Sequence, residues 1–165
     1  MNVIIRHATK DDITAILAIV NYAIEHTTAI YDYGQHTLEV QQAWFDEKIQ
    51  KGFPVIVAEY DKRAVGFGTY GTFRQRDGYR FTVEHSVYVS NEFIGRGFGG
   101  MLLSELIKLA KEQKLHTMIG GIDASNKGSI EFHKKFGFIE VGNIKQAAFK
   151  FDRWLDLVFM QLILE

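Results

Sequence analysis

From Ser86 to Gly100 the chain reads SVYVSNEFIGRGFGG: an apolar strand, a short polar break, then four glycines in six residues. The amphipathic stretch MLLSELIKLAKEQK follows at once. Few folds accept such a run. Glycines at a strand-to-helix turn let backbone N–H groups come close to a ligand, and the helix N-terminus adds the positive end of its dipole. The expected ligand is therefore a phosphate or pyrophosphate.

The rest of the chain supplies a frame. Val3 to Ala8 reads as a strand, and Thr9 to Asp12 resembles a capping box before an amphipathic helix carrying Ile13, Ile16, Leu17, Val20 and Ile24. A polar and aromatic loop, His26 to His36, leads to a second helix from Thr37 to about Gln50, stopped at Gly52. Pro54 to Tyr60 and Ala64 to Phe73 read as a hairpin, Arg74 to Arg80 as a charged turn, and Phe81 to Val89 as the strand entering the glycines. A helix from about Gly99 to Lys114, a strand from Thr117 to Asp123 and a short helix ending near Phe136 at Gly137 come next. Phe138 to Val141 and Leu155 to Leu164 read as strands around a less regular GNIKQAAFKFDRW. The order βααβββαβαββ predicts an α/β (α+β) sandwich on a mixed, mostly antiparallel sheet, in one domain over residues 1–165.

Composition excludes several function classes. With 47% hydrophobic and 24% charged residues the chain has an ordinary globular make-up, and a net charge of −1 gives no reason to expect nucleic acid or an anionic membrane as partner. No cysteine is present. That removes disulfides, a thiol nucleophile and thiolate metal sites, and it suits the cytoplasm. The six histidines are scattered without ligand spacing, so no metal is expected. The charged N-terminus does not read as a signal peptide, and no apolar run reaches the length of a membrane span.

Three readings of the glycine turn compete. Gly95-Arg96-Gly97-Phe98-Gly99-Gly100 satisfies GxGxxG, and Asp123 at a strand end stands where a dinucleotide fold places an acid. Such a fold, however, normally begins with this βαβ unit, and here a long meander precedes it. A purely structural turn is the second reading. Glycine is entropically costly, and four so close together exceed what turn geometry needs. No Gly-Lys-Ser/Thr follows, which excludes a Walker loop. The third reading is a pyrophosphate loop for coenzyme A.

Here the residues resemble a known family. Val87-Tyr88-Val89, the glycine turn, the amphipathic helix, the next strand, Asn126 and Phe136-Gly137-Phe138 resemble the signature of the GNAT N-acetyltransferase superfamily. That family's loop reads Arg/Gln-x-x-Gly-x-Gly/Ala, and Ile94 stands here where Arg or Gln is usual. The segments TVEHSVYV from Thr82, IDASN from Ile122, SIEFH from Ser129 and KFDRWLD from Lys150 are similar to the phosphinothricin and methionine sulfoximine acetyltransferase branch, and EHTTAIY from Glu25 fits as well.

The resemblance implies acetyl-CoA as cosubstrate, with pantetheine between the strand before the glycine turn and its neighbour. Val87, Tyr88 and Val89 would bond it, and Gly95, Arg96, Gly97, Phe98, Gly99 and Gly100 would cradle the pyrophosphate. Asn126 contacts pantetheine or caps its helix, and Ser129 lies beside it. An amine attacks the thioester directly, with Glu84 as base. His133, where many relatives have tyrosine, is a candidate acid for the thiolate, and Tyr88 is the alternative. The implied substrate is a small amino acid analogue: methionine sulfoximine, methionine sulfone or phosphinothricin. Arg74 and Arg80 would meet its carboxylate, and Tyr31 and Phe73 would wall its pocket under the His26–His36 loop. Other amines, or a non-catalytic acyl-CoA-binding module, are the alternatives. A homodimer is expected, with Trp154 and Asp156 contributing across its interface.

Overall fold

Along β2 (Val55–Tyr60), Val55 and Val57 pack to one side of a sheet, Ile56 and Ala58 to the other, and all four are buried. A strand buried on both faces lies in the middle of three layers. The computed structural model, which describes residues 2–165, builds that middle layer from seven strands. They are β1 (Val3–His7), β2, β3 (Arg63–Thr72), β4 (Thr82–Val89), β5 (Thr117–Asp123), β6 (Ile139–Lys150) and β7 (Arg153–Ile163). The spatial order is β1-β2-β3-β4-β5-β7-β6. Every pairing is antiparallel except β4 with β5. That parallel pair is bridged by α3 (Phe98–Glu112), the crossover a parallel connection requires.

Helices α1 (Ile13–His26) and α2 (Leu38–Gln50) cover one face, where Ile16, Val20, Ile24 and Phe45 meet Val55, Val57 and Phe67. On the other face α3 and α4 (Lys127–Lys135) bury Leu102, Leu106 and Ile130 against Val83, Met118, Phe138 and Met160. This is the mixed, mostly antiparallel sheet flanked by helices that the element order predicts. Among the described residues, no helix is long and apolar enough to cross a membrane.

One stretch departs from the sequence reading. The segment from Gly142 to Trp154 is not irregular: nearly all of it lies in the β6–β7 hairpin. Register shifts between Glu140 and Gly142 and between Ile144 and Ala148 break the two-residue period by which a strand is recognised. Gln146 bulges at φ 51°, and its N–H donates to Asp156 at 2.8 Å. The turn residues Phe151 and Asp152 both have positive φ, 52° and 55°, without the glycine or asparagine that usually announces such a turn.

The start of α1 is held by one carboxylate. Asp12 accepts from the Thr9 N–H at 2.8 Å and from both Arg6 Nη atoms at 2.8 and 2.9 Å, while Arg6 Nε donates to Glu59 at 2.7 Å. These bonds tie β1, β2 and the entry to α1 together. Asp12→Ala is expected to cost about 1–3 kcal/mol in urea melts at neutral pH. Burial acts to raise the Asp12 pKa, but the bonds from Arg6 and Thr9 outweigh it, so the folded carboxyl lies below its ordinary value. A depressed carboxylate stabilises above its unfolded pKa and loses that contribution as pH falls through the folded one. The difference between wild type and variant should therefore persist at neutral pH and shrink below about pH 4.

Candidate active site

Strands β4 and β5 pair only where Thr82, Val83 and Glu84 lie opposite Thr117, Met118 and Ile119. Beyond Glu84 they part. β4 follows β3 as far as the Val89–Gly66 pair, and β5 follows β7 to the Asp123–Leu157 pair. A cavity of about 750 Å³ opens between them, walled by residues 84–89, 120–123 and the glycine turn. The parted backbone of β4 faces this space as an unfilled sheet edge would.

The glycine turn ends the cavity. Gly95 and Gly97 have φ of 83° and 85°, which L-residues with side chains rarely adopt, so two of the four glycines are required by conformation. Gly97 is the N-cap of α3 and offers no capping side chain. The first-turn N–H groups of Phe98, Gly99 and Gly100 are thus left for another acceptor, and all three residues line the cavity with Gly95 and Gly97. Ile94 also lines it and is 65% exposed. Arg96 lies outside these walls, its guanidinium 4.9 Å from the centre of the Phe93 ring.

Alternation along β4 sends its side chains to opposite faces. Val83, Val87 and Val89 pack on the α3 side, and Tyr88 on the α1 side against Phe67. Glu84 shares the face of Tyr88, while His85 meets His133 on the other. The cavity therefore passes through the sheet, with Glu84 on one side and His133 on the other. Burial raises the Glu84 pKa above the ordinary carboxylate range. Burial also pushes the Tyr88 phenol up, so it stays protonated at neutral pH. His133 is buried with its Nδ1 2.7 Å from the Ser129 carbonyl, and burial lowers its pKa. Asn126 caps α4, its Oδ1 accepting from Ser129 N–H at 3.1 Å, and both residues also line the cavity.

The loop after α1 closes one side. Thr28 and Tyr31 are in the wall, and Thr28 Oγ1 donates to Asp123 at 2.5 Å. Beneath the loop, the buried Lys150 ammonium donates to the carbonyls of Ile24, Thr27 and Ile30 at 2.6, 2.8 and 2.6 Å. A cation over the last carbonyls of α1 also complements the helix dipole. Tyr33 donates to the Phe149 carbonyl. The β6–β7 hairpin thereby pins the loop that covers the cavity.

The structure brings together Glu84, Val87, Tyr88, Val89, Asn126, Ser129, His133 and Tyr31 with the glycines of the turn. It does not place Phe73, Arg74 or Arg80 in the wall. Phe73 packs edge-on against Phe159, which approaches Gly121 at the Glu84 end of the cavity. The Arg74 and Arg80 guanidiniums lie over the Phe73 and Phe81 rings at 5.4 and 4.6 Å. Trp154 is exposed beside Phe149, and Asp156 is bonded to Gln146 and Lys145. Among the described residues, no three His, Asp or Glu side chains cluster to hold a metal.

Sequence reasoning missed Gly120, Gly121, His85 and Lys150. Two glycines inside a strand were the available signal for close approach. A Cβ on Gly120 would stand 2.9 Å from His85 Cε1, and one on Gly121 3.4 Å from Glu84 Oε1. Nothing local marks Lys150, whose partners lie more than a hundred residues away.

Comparison with known proteins agrees with this geometry. A model of the acetyltransferase (GNAT) family matches residues 18–138. An L-methionine sulfoximine/L-methionine sulfone acetyltransferase of Pseudomonas aeruginosa is 43% identical over 100% of this chain and 96% of its own. A phosphinothricin N-acetyltransferase of Alcaligenes faecalis is 34% identical over 95% of this chain and 80% of its own. An acetyltransferase structure from Salmonella typhimurium, solved with acetyl-CoA, superposes with a TM-score of 0.96 at 41% identity, covering 99% of this chain and 94% of that one.

Gly120→Ala forces a methyl group against His85 and is expected to destabilise the protein by about 1–3 kcal/mol in thermal or urea unfolding. Gly121→Ala meets its neighbours at ordinary contact distance and should stay within about 0.5 kcal/mol of wild type.

Proposed function

The chain belongs to the GNAT acetyltransferase family, and on that premise we propose that it moves the acetyl group of acetyl-CoA to the α-amino group of a small amino acid analogue. Methionine sulfoximine, methionine sulfone and phosphinothricin are the proposed substrates, since relatives that this chain resembles along nearly its whole length bear those names. The observation that carries the reading is the parting of β4 from β5. It joins a cradle of free helix N–H groups to a carboxylate of raised pKa through one continuous space. Acetyl-CoA fits that space in kind. Its pyrophosphate matches the first turn of α3, and its amide-bearing pantetheine arm matches the unpaired edge of β4. Ile94 supplies no polar group to the phosphates, so backbone amides carry that contact.

Glu84 takes a proton from the substrate ammonium, and the freed nitrogen attacks the thioester carbonyl carbon. A β4 backbone N–H at Ser86–Val89 polarises the carbonyl oxygen. As the tetrahedral adduct collapses, Glu84, having passed its first proton to solvent, takes the second proton from nitrogen; the carbon–sulfur bond breaks, its electron pair leaves with sulfur, and the thiolate takes a proton from the His133 side of the sheet. No acyl-enzyme is involved, consistent with a chain lacking cysteine. Tyr31 and the loop over it screen the site from water. Arg74 and Arg80, on the charged turn that leads into β4, meet the substrate carboxylate. That no arginine stands in the cavity wall favours a second reading, an amine without a carboxylate.

A second copy of the chain is proposed to cover β6. This strand ends the sheet, nine of its twelve residues are exposed, and Ile139, Val141, Ile144 and Phe149 are bare along it. A long apolar edge is a liability for a monomer.

Acetyl-CoA consumption measured across amines tests the activity. Turnover is expected with the three analogues, and its absence with all of them overturns the substrate assignment. Glu84→Gln should lower kcat by about a hundredfold. In the wild type, kcat/KM should rise with pH through a carboxylate pKa above the ordinary range, because the base acts only when deprotonated. Arg74→Ala and Arg80→Ala should raise the analogue KM without raising that of a simple amine; equal effects on both favour the second reading. Sedimentation equilibrium should show a dimer that Ile144→Asp dissociates, and a monomeric wild type removes the proposed partner.

A further inference from the structure

The segment KFDRWLD, which opens on the last residue of β6, carries a lysine that the reaction above does not use. Lys150 is 4% exposed, and its ammonium donates to the carbonyls of Ile24, Thr27 and Ile30 at 2.6, 2.8 and 2.6 Å. An ammonium has three N–H donors and no acceptor, so three carbonyls match it fully. A neutral amine would leave one of them without a donor. Burial lowers the Lys150 pKa, and the charge of Asp32 acts the other way. Taking a charge out of water is costly unless its hydrogen bonds are all made. A helix end can be capped from the surface by glycine or asparagine without that cost, so closing α1 does not account for this lysine.

The three acceptors show what the ammonium orders. Ile24 lies in the last turn of α1, Thr27 is its C-cap, and Ile30 stands beyond the helix between Ala29 and Tyr31, which line the cavity. Among the described residues, no backbone–backbone hydrogen bond involves residues 28–36. Side chains hold that loop instead: Thr28 bonds to Asp123, Asn21 to the backbone of His36, and Tyr33 to the Phe149 carbonyl. Lys150 draws the Thr27 and Ile30 carbonyls to one point on the side away from the opening, and Thr28 and Tyr31 stand in the cavity wall. The loop covers the side that carries Glu84, where an acceptor amine meets its base, whereas the anion cradle belongs to α3.

We propose that Lys150 is a positioning residue for the acceptor amine: by gathering the carbonyls of Ile24, Thr27 and Ile30 it sets the loop whose Thr28 and Tyr31 wall the acceptor's place beside Glu84. This rests on the acetyl-transfer reading above. Lys150 does not itself line the cavity, so it acts through the loop. Arginine is no substitute, because its planar fork cannot gather three carbonyls around one atom. As the last residue of β6, Lys150 also ties the acceptor side of the site to the far edge of the sheet.

Steady-state kinetics of wild type and Lys150→Met test the role, with methionine sulfone as acceptor or, failing that, the amine of the panel above that wild type acetylates fastest. Methionine keeps the apolar stem and lacks the ammonium. The KM for the acceptor should rise about tenfold while the KM for acetyl-CoA stays within about twofold. A general loss of folding lowers the active fraction, and so kcat alone, and leaves both KM values in place. An unchanged acceptor KM, or an equal rise in both KM values, overturns the role. Nitrogen NMR of the lysine ammonium groups in wild type needs no variant and decides the matter if Lys150→Met does not fold. Lys150 should give a slowly exchanging ammonium signal that moves when the acceptor is added and holds still when CoA alone is added. A signal indifferent to the acceptor overturns the proposal. Either overturning result in an enzyme that acetylates its acceptor removes this role alone. A wild type that acetylates no amine removes the acetyl-transfer reading and this role with it.

Discussion

The structure turns on a hydrogen-bond ladder that stops early. Two parallel strands, β4 and β5, hold register only through Glu84 and Ile119 and then take separate partners. Each finds a full antiparallel neighbour on its outer side, so the sheet survives the rupture. The inner edges remain as a slot with backbone donors and acceptors along one wall. A slot of that kind does not close by side-chain packing alone, because unpaired backbone groups are costly to bury dry. It calls for a ligand that brings its own amides, and the helix N-terminus at its end calls for an anion.

The slot also sorts the chemistry by face. A strand's alternation puts Glu84 and Tyr88 toward α1 and His85 toward α3, so the Glu84 carboxyl and the His85–His133 pair stand on opposite sides of one opening. Desolvation disfavours the charged form of each: it raises the pKa of the Glu84 carboxyl and lowers that of His133. The same separation keeps the two from neutralising one another directly. Support comes from far away. Lys150, at the end of β6, satisfies three carbonyls under the loop that covers the Glu84 side.

Much of this was legible in the residues. The order of strands and helices, the hairpin at Asp61–Lys62, the caps at Thr37 and Asn126 and the stop at Gly137 follow from local turn and capping chemistry. The β6–β7 hairpin was not legible. Its bulges break alternation, and its turn uses Phe151 and Asp152 at positive φ. The glycine turn, Glu84 and His133 stand out in the sequence as parts of motifs, and the fold brings them to the wall of one cavity. Arg74, Arg80 and Phe73, expected from the same resemblance, stand outside the wall, because a charged turn in sequence carries no statement of where its side chains rest.

By itself, then, the sequence determined a glycine-rich turn between a strand and a helix, the elements around it, and the family to which they belong. These are properties of local backbone preference and short-range spacing, in which each residue answers mainly to its neighbours. Only the tertiary structure decided that β4 and β5 part, that Gly120 leaves space for His85, that His85 faces His133, and that Lys150 reaches back to the end of α1. Each depends on atoms brought together from distant parts of the chain, and the energy of a buried hydrogen bond or a tight contact exists only once that distance has closed.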